Sequence, residues 1–102
     1  MKGSFVLTPR AQEDLNDIWD YTAERWGIDQ AETYTREFWE RIRAIADKPL
    51  LGRGCDEVRA GYRLYPSGSH VLLYRPARSG IDIVRILHER MDYERKRLAK
   101  SC

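Results

Sequence analysis

The chain has 102 residues, of which 42% are apolar and 33% are charged, and its formal net charge is +2. This length suits one domain with one apolar core, so we expect residues 1–102 to form a single domain. The composition is too apolar for disorder, no apolar run approaches the ~20 residues of a membrane span, and the N-terminal apolar stretch is too short for a signal peptide. A cytoplasmic location is expected.

The net charge hides an asymmetry between the two halves of the chain. Residues 1–52 carry 7 Lys/Arg and 10 Asp/Glu, a balance of −3, whereas residues 53–102 carry 11 Lys/Arg and 6 Asp/Glu, a balance of +5. The second half is rich in clustered arginines. This favours an anionic partner, either a nucleic acid or an acidic protein, over a basic face that is merely solvated.

A first helix is predicted to begin after a short strand at residues 4–8. Thr8 is suited to the N-cap and Pro9 to the first helical position, while Gly27 ends the helix. The apolar stripe that recurs at helical spacing consists of Ala11, Leu15, Ile18, Trp19, Thr22 and Trp26. Acidic residues fill the opposite face, which we interpret as a solvated surface.

A second helix is predicted to follow almost at once. Asp29 with Glu32 three residues later resembles a capping box, and Pro49 stops the helix. Its apolar stripe consists of Tyr34, Thr35, Phe38, Trp39, Ile42, Ile45 and Ala46. Core packing is the expected role of the tryptophans in both stripes. The connection is so short that the two helices must fold back as an antiparallel hairpin.

The second half of the chain changes to the period of two that is typical of strands. Strands are predicted at residues 62–65, 70–75 and 81–88, joined by tight turns, with a further short strand around residues 57–60. Residues 81–88 are the most apolar and are expected to be central. The order β-α-α-β-β-β predicts an α+β domain of two layers, with a helical hairpin packed on a small antiparallel sheet.

The sequence contains no recognisable nucleotide-binding loop, metalloprotease motif or nucleophile elbow. Cys55 and Cys102 are expected to be an ordinary loop residue and a frayed terminal residue, with neither a zinc site nor a disulfide. Side chains that could act on a phosphodiester are Arg63, Arg75, Arg85, His88, Arg90 and Tyr93. For His88 a structural or binding role is favoured over general acid–base catalysis, because the spacing does not establish a site around one phosphate.

Seven short motifs run through the chain in order. They are Leu7-Thr-Pro-x-Ala11, Asp14-Leu-x-x-Ile-Trp-x-Tyr21, Trp26-Gly-x-x-Gln-Ala31, Pro49-x-x-Gly-Arg53, Gly61-Tyr-Arg63, His70 and Val84-Arg-Ile-Leu-His-x-Arg-Met-Asp92. In this order and spacing they resemble the ParE toxins of the RelE/ParE superfamily, which belong to bacterial type II toxin–antitoxin systems. The resemblance covers about residues 5–97, and the last motif is the most specific.

The resemblance implies a fold, a target and a partner. The fold would be a helical hairpin on a small antiparallel sheet. ParE toxins are associated with plasmid stabilisation and with inhibition of DNA gyrase. The partner would be a ParD-like antitoxin in a hetero-oligomeric complex, so contact with DNA would be indirect, through the antitoxin or gyrase. Neither a cofactor nor a metal is implied.

Two sets of residues are predicted to serve these partners. The basic C-terminal region would bind gyrase, through Arg85, His88, Arg90, Arg95, Lys96 and Arg97. Antitoxin binding would use the apolar rim of the helical hairpin together with basic residues, and involve Arg59, Arg63, Trp19 and Trp39. Such antitoxin tails are usually acidic and fold on binding, as a helix in a groove or as a strand at a sheet edge.

A second activity occurs in the same superfamily, because RelE-like members cut mRNA in the ribosome. In that case Arg63, Arg75, Arg85, His88 and Tyr93 would surround the scissile phosphate. Residues 71–74 are aliphatic apart from a tyrosine, whereas the nuclease relatives typically carry a cationic residue on this strand. The basic run before it is also thin, with Arg53 and Arg59 and no lysine. These departures favour a protein-binding inhibitor without catalysis of its own. A third hypothesis is a chain that has lost toxicity and binds only its antitoxin.

Overall fold

The computed structural model of the protein describes residues 3–56, 59–78 and 80–88. Two helices pack on one face of a five-stranded sheet, which confirms the predicted α+β two-layer class. The elements in chain order are β1 (Ser4–Leu7), α1 (Pro9–Trp26), α2 (Ile28–Asp47), β2 (Arg53–Gly54), β3 (Arg63–Ser67), β4 (His70–Ala77) and β5 (Gly80–His88). No helix in this part of the chain is long and apolar enough to cross a lipid bilayer.

The sheet is mixed rather than purely antiparallel. Its strand order is β1-β5-β4-β3-β2, and β1 runs parallel to β5 while the other neighbours are antiparallel. A parallel pair needs a long connection, and the helical hairpin forms part of the one between β1 and β5. β4 therefore takes the middle of the sheet, and β5, predicted to be central, lies one place from the edge.

The short strand before β3 also differs from its predicted position. It lies at Arg53–Gly54, where it pairs with the start of β3. Residues 59 and 60 are in a bend and turn, and residues 57 and 58 lie outside the described part of the chain. A strand of two residues carries no recognisable period, so its position depends on which residues can reach the edge of the sheet.

Helix α1 begins as its sequence predicts. Thr8 Oγ1 accepts a hydrogen bond from the amide of Ala11 at 3.1 Å, and Pro9 follows the cap. The same hydroxyl donates to the carbonyl oxygen of Val84 at 2.9 Å, so the cap also ties α1 to β5. Most of the predicted stripe is buried, but Trp26, at the last helical position, is 66% exposed. The prediction that Trp26 packs in the core was wrong, because this end of α1 extends beyond the sheet.

The junction between the helices is a single residue, Gly27. Its φ of 96° is accessible to glycine but rarely to other residues. Its amide donates to the carbonyl of Ala23, and its own carbonyl accepts from the amide of Ala31, so it ends α1 and begins α2. The capping box predicted at Asp29 is therefore wrong, since Asp29 lies inside the first turn of α2 and no side chain caps that helix.

The main core lies between the helices and the sheet. Its largest completely buried side chains are Tyr74, Phe38, Ile42, Ile45, Leu72, Ile81 and Ile83. The Tyr74 hydroxyl donates to the carbonyl of Pro49 at 2.8 Å and accepts from the amide of Gly52 at 2.7 Å. These two bonds hold the segment after α2 against the sheet, and burial raises the pKa of Tyr74 above its usual value.

A second, smaller apolar cluster contains Cys55, Tyr62, Leu64 and Leu73. Cys55 is completely buried and disulfide-bonded, so the prediction of an unpaired loop cysteine was wrong. A disulfide requires two Cα atoms to lie within about 7 Å, which sequence separation does not reveal. The other cysteine of the chain, Cys102, lies outside the described residues.

Candidate functional site

A cavity of about 960 Å³ opens between α1, the start of α2 and the ends of β4 and β5. Its lining combines acidic, aromatic and imidazole side chains, and consists of Asp14, Asp17, Ile18, Tyr21, Thr22, Trp26, Gln30, Tyr34, Ser69, His70, Ile86 and His88. The volume lies within the range of small-molecule pockets, and several of its groups can donate or accept hydrogen bonds. The described residues contain no group of three or more potential metal ligands placed to share one ion.

Tyr34, His70 and His88 form the inner wall of this cavity. Tyr34 Oη and His70 Nδ1 lie 2.7 Å apart, in a hydrogen bond, and the same hydroxyl accepts from the amide of Ser69 at 2.9 Å. His70 and His88 are directly paired across β4 and β5, with ring centroids 4.8 Å apart and planes nearly perpendicular. Because α2 and the β3–β4 turn meet at Tyr34, the position of these rings depends on packing rather than on a flexible loop.

The surroundings of His70 disfavour its protonation. Burial is the main cause and the neighbouring His88 adds to it, while Asp14 acts in the opposite direction, and together they lower the pKa of His70 from 6.5 to about 4. The ring also lies edge-on to Phe38, with the centroids 5.6 Å apart. At neutral pH His70 is therefore an uncharged hydrogen-bonding group and not a cation for an anionic ligand.

Folding stability should therefore decline as the pH falls from about 7 towards 4. The pKa of His70 is about 4 in the folded chain and about 6.5 when unfolded, so the unfolded chain takes up the proton first and is favoured by acid in that window. Urea unfolding at pH 7.5, 6.0 and 5.0 measures the free energy of unfolding. This free energy should fall less with pH in His70→Gln than in the unmodified chain. His88→Gln should keep most of the loss, because burial is the larger cause. Equal losses in the unmodified chain and His70→Gln would contradict this prediction.

Asp14 joins α1 to the C-terminal part of β5, which β1 does not cover. Its Oδ2 accepts from Arg85 Nε at 2.7 Å and from the amide of Ile86 at 3.0 Å, and its Oδ1 accepts from Arg85 Nη2 at 3.1 Å. The Asp14 and Arg85 side chains are only 13% and 23% exposed. Since β1 pairs only with residues 80–83 of β5, the side chains of Thr8 and Asp14 bind backbone groups of β5 beyond that point.

Comparison with known proteins identifies the family. Residues 5–93 match the family model described as "ParE toxin of type II toxin-antitoxin system, parDE". The chain belongs to the ParE toxin family. It is 51% identical over 96 residues to Toxin ParE1 of Mycobacterium tuberculosis, covering 93% of this chain and 98% of that protein, and 45% identical over 88 residues to Toxin ParE1 of Caulobacter vibrioides, covering 86% and 91%. It is therefore a ParE-type toxin of a type II toxin–antitoxin system.

A solved structure agrees with the ParE fold. A chain from a structure titled "Chromosomal ParDE TA system from P. aeruginosa" superposes with a TM-score of 0.72, covering 85% of this chain and 96% of that chain. The two sequences are only 21% identical, so this likeness bears on the fold alone. It supports the arrangement of two helices on a mixed sheet.

The residues predicted to bind gyrase are divided between described and undescribed parts of this ParE toxin. Arg85 and His88 lie at the C-terminal end of β5, where Arg85 is paired with Asp14 and His88 lines the cavity. The other four predicted residues, Arg90, Arg95, Lys96 and Arg97, lie outside the described residues. The gyrase surface therefore stays a prediction.

The residues predicted to bind the antitoxin are not gathered into one patch. Trp39 is half-buried and packs on Phe5 of β1, with ring centroids 5.8 Å apart, and Trp19 is also half-buried. Arg63 lies on β3, separated from β1 by β5 and β4. Arg59 is exposed in the bend that precedes β3. Any single antitoxin segment that contacts all four would have to wrap around the sheet.

The arginines of the nuclease hypothesis are already engaged. Arg63 Nη1 donates to the carbonyl oxygens of Leu50 and Gly52, Arg75 pairs with Asp82 at 3.0 Å, and Arg85 pairs with Asp14. A phosphate would have to displace these acceptors. Of the other two residues in this hypothesis, His88 lines the cavity and Tyr93 lies outside the described residues.

Two exposed aromatic side chains that line the cavity were not predicted from the sequence to be site residues. Tyr21 is 60% exposed and Trp26 is 66% exposed. For Tyr21 a signal existed, because an aromatic residue on the acidic face of α1 lies off the apolar stripe. For Trp26 the periodicity indicated the core, and only the position of the helix end relative to the sheet shows otherwise.

Proposed function

We propose that this ParE-family toxin inhibits DNA gyrase by binding it directly and that a ParD-like antitoxin neutralises it. The observation that carries the proposal is the match to ParE1 toxins along almost the whole of both chains. ParE toxins are associated with gyrase inhibition, and the proposal extends that association to this chain. The complex would act in the cytoplasm, where gyrase works.

The state of the arginines supports inhibition by binding rather than catalysis. Arg63, Arg75 and Arg85 each contact a carbonyl or a carboxylate of the protein itself. A nuclease without a metal needs cationic groups aimed at the phosphate in the transition state, and it would have to release these contacts first. A binding surface needs only charge and shape complementarity, which the basic second half of the chain can supply.

Exposed apolar side chains support an antitoxin interface at the hairpin end of the molecule. Tyr21, Trp26 and Ile28 are each at least 60% exposed around the α1–α2 junction. Covering such a group of apolar side chains with a partner removes apolar surface from water and is therefore favourable. The solved structure with the same fold comes from a ParDE system, which supports an antitoxin as that partner. We infer that the antitoxin covers this rim of the hairpin, with Trp19, Trp39, Arg59 and Arg63 as further contacts of a wrapping segment.

The proposed function is tested by supercoiling of relaxed plasmid with purified gyrase from the native host and ATP. Increasing toxin should abolish supercoiling and leave linear DNA after denaturation, and the antitoxin should reverse both effects. Arg95→Glu in the basic C-terminal region should weaken inhibition, whereas Arg36→Glu, on the exposed surface of α2, should not.

Unchanged supercoiling at toxin concentrations in excess of gyrase would reject the gyrase part of the proposal. Programmed ribosomes with a labelled transcript then test the nuclease alternative, which predicts cleavage that is lost in His88→Gln. Failure of both assays, with antitoxin binding intact, would indicate a chain that only binds its antitoxin.

A further inference from the structure

The cavity beside α1 is acidic in a chain whose net charge is positive. Among the described residues that line it there are two carboxylates, Asp14 and Asp17, and neither a lysine nor an arginine. His70 is uncharged at neutral pH because its pKa is about 4. The described lining of the cavity is therefore negatively charged, opposite in sign to the basic second half of the chain.

One of these two charges is already compensated. Both oxygens of Asp14 accept from the Arg85 guanidinium, and Oδ2 also accepts from the amide of Ile86. Asp17 is exposed, and neither an ion pair nor a hydrogen bond joins its carboxylate to another described residue. Among the described residues, Asp17 thus gives the cavity one negative charge that no described cation pairs with, and one cationic group of a partner would balance it.

Two exposed aromatic rings share the lining of the cavity with Asp17. Tyr21 and Trp26 expose 60% and 66% of their surface, although large aromatic side chains are usually covered. The face of an aromatic ring attracts a cation, and a planar guanidinium stacks on it better than an ammonium group. The guanidinium carbon of Arg25 lies 5.5 Å from the ring centroid of Tyr21, so one face of this ring already makes a contact of this kind within the chain.

We propose that the cavity receives an arginine side chain of the antitoxin, carried on a segment that is otherwise apolar. The guanidinium pairs with Asp17 and stacks against Tyr21 or Trp26, while neighbouring apolar residues cover Ile28 and the exposed rim. The choice of occupant follows from charge complementarity, because an acidic antitoxin segment would be repelled here and would suit the basic second half instead. This inference rests on the proposed antitoxin partner and specifies the chemistry of one of its contacts.

The test is the affinity of the full-length toxin for the antitoxin encoded beside it, by calorimetry in 150 mM NaCl. At that ionic strength exposed charges more than about 8 Å apart are largely screened, so the measurement reports local pairing. Asp17→Asn keeps the shape and removes the charge, and we expect it to weaken binding about tenfold. Asp20→Asn, with the same change of charge on the same helix but outside the cavity, should alter affinity less than twofold.

A second arm identifies the arginine itself. Each arginine of the antitoxin is changed to glutamate in turn, and one such variant should bind Asp17→Arg more tightly than it binds the unmodified toxin. Binding that is unaffected by Asp17→Asn, or strengthened by it, would overturn the inference while leaving the antitoxin partnership intact. Absence of binding by the unmodified toxin would overturn both.

Discussion

Replacing Phe38 with alanine is expected to lower the free energy of unfolding by about 3–5 kcal/mol. Phe38 lies near the middle of α2 and is completely buried. Its ring packs on Tyr34 and His70, with centroid distances of 5.0 and 5.6 Å. Truncation would leave a cavity between the helix and the sheet, beside the hydrogen bond between Tyr34 and His70. Because small domains are stabilised by only about 5–15 kcal/mol, this variant should be partly unfolded at physiological temperature.

Urea unfolding followed by tryptophan fluorescence measures this effect. Phe38→Leu leaves a smaller cavity and should cost less than Phe38→Ala. Tyr21→Ala removes a similar number of atoms from a side chain that is 60% exposed, and should stay within about 0.5 kcal/mol of the unmodified chain. If Phe38→Ala proved no more destabilising than Tyr21→Ala, the packing of α2 on the sheet described above would be incorrect.

Replacing Asp14 with alanine should have the second largest effect, a loss of about 2–4 kcal/mol. The substitution removes three hydrogen bonds that cross from α1 to β5. It takes the Asp14 carboxylate away from the Arg85 side chain, which is 23% exposed, and from the amide of Ile86. Removing the carboxylate of an ion pair in a largely covered position costs more than the pair itself contributes, because the remaining cation stays desolvated, so the single variant should be disproportionately unstable.

The double variant Asp14→Ala with Arg85→Ala distinguishes this mechanism from a general effect on α1. Its destabilisation should be smaller than the sum of the two single losses, because removing Arg85 as well removes the cation that had lost the Asp14 carboxylate. Asp20→Ala, a fully comparable change at an exposed position of the same helix, should stay within about 0.5 kcal/mol of the unmodified chain. Strict additivity in the double variant would contradict the proposed pairing.

The sequence alone determined the features that depend on neighbours within a few residues. The N-cap at Thr8 and the buried stripe of α1 follow from interactions between positions three or four apart. Alternation predicted strands at residues 62–65, 70–75 and 81–88, and the structure has them at Arg63–Ser67, His70–Ala77 and Gly80–His88. These local signals, together with the short junction at Gly27, were sufficient for the α+β class. The motif order was sufficient for the ParE family.

Only the tertiary structure decided which distant residues meet. Asp14 and Arg85 are 71 residues apart in the chain, and Tyr34 and His70 are 36 apart, yet both pairs are hydrogen-bonded. Only the tertiary structure likewise shows the parallel pairing of β1 with β5, the burial of Cys55 and the exposure of Trp26. Each depends on the register of packed elements, and many registers satisfy one and the same local pattern. The acidic and aromatic cavity is therefore a feature of the tertiary structure, because it forms only where α1, the start of α2 and the ends of β4 and β5 meet.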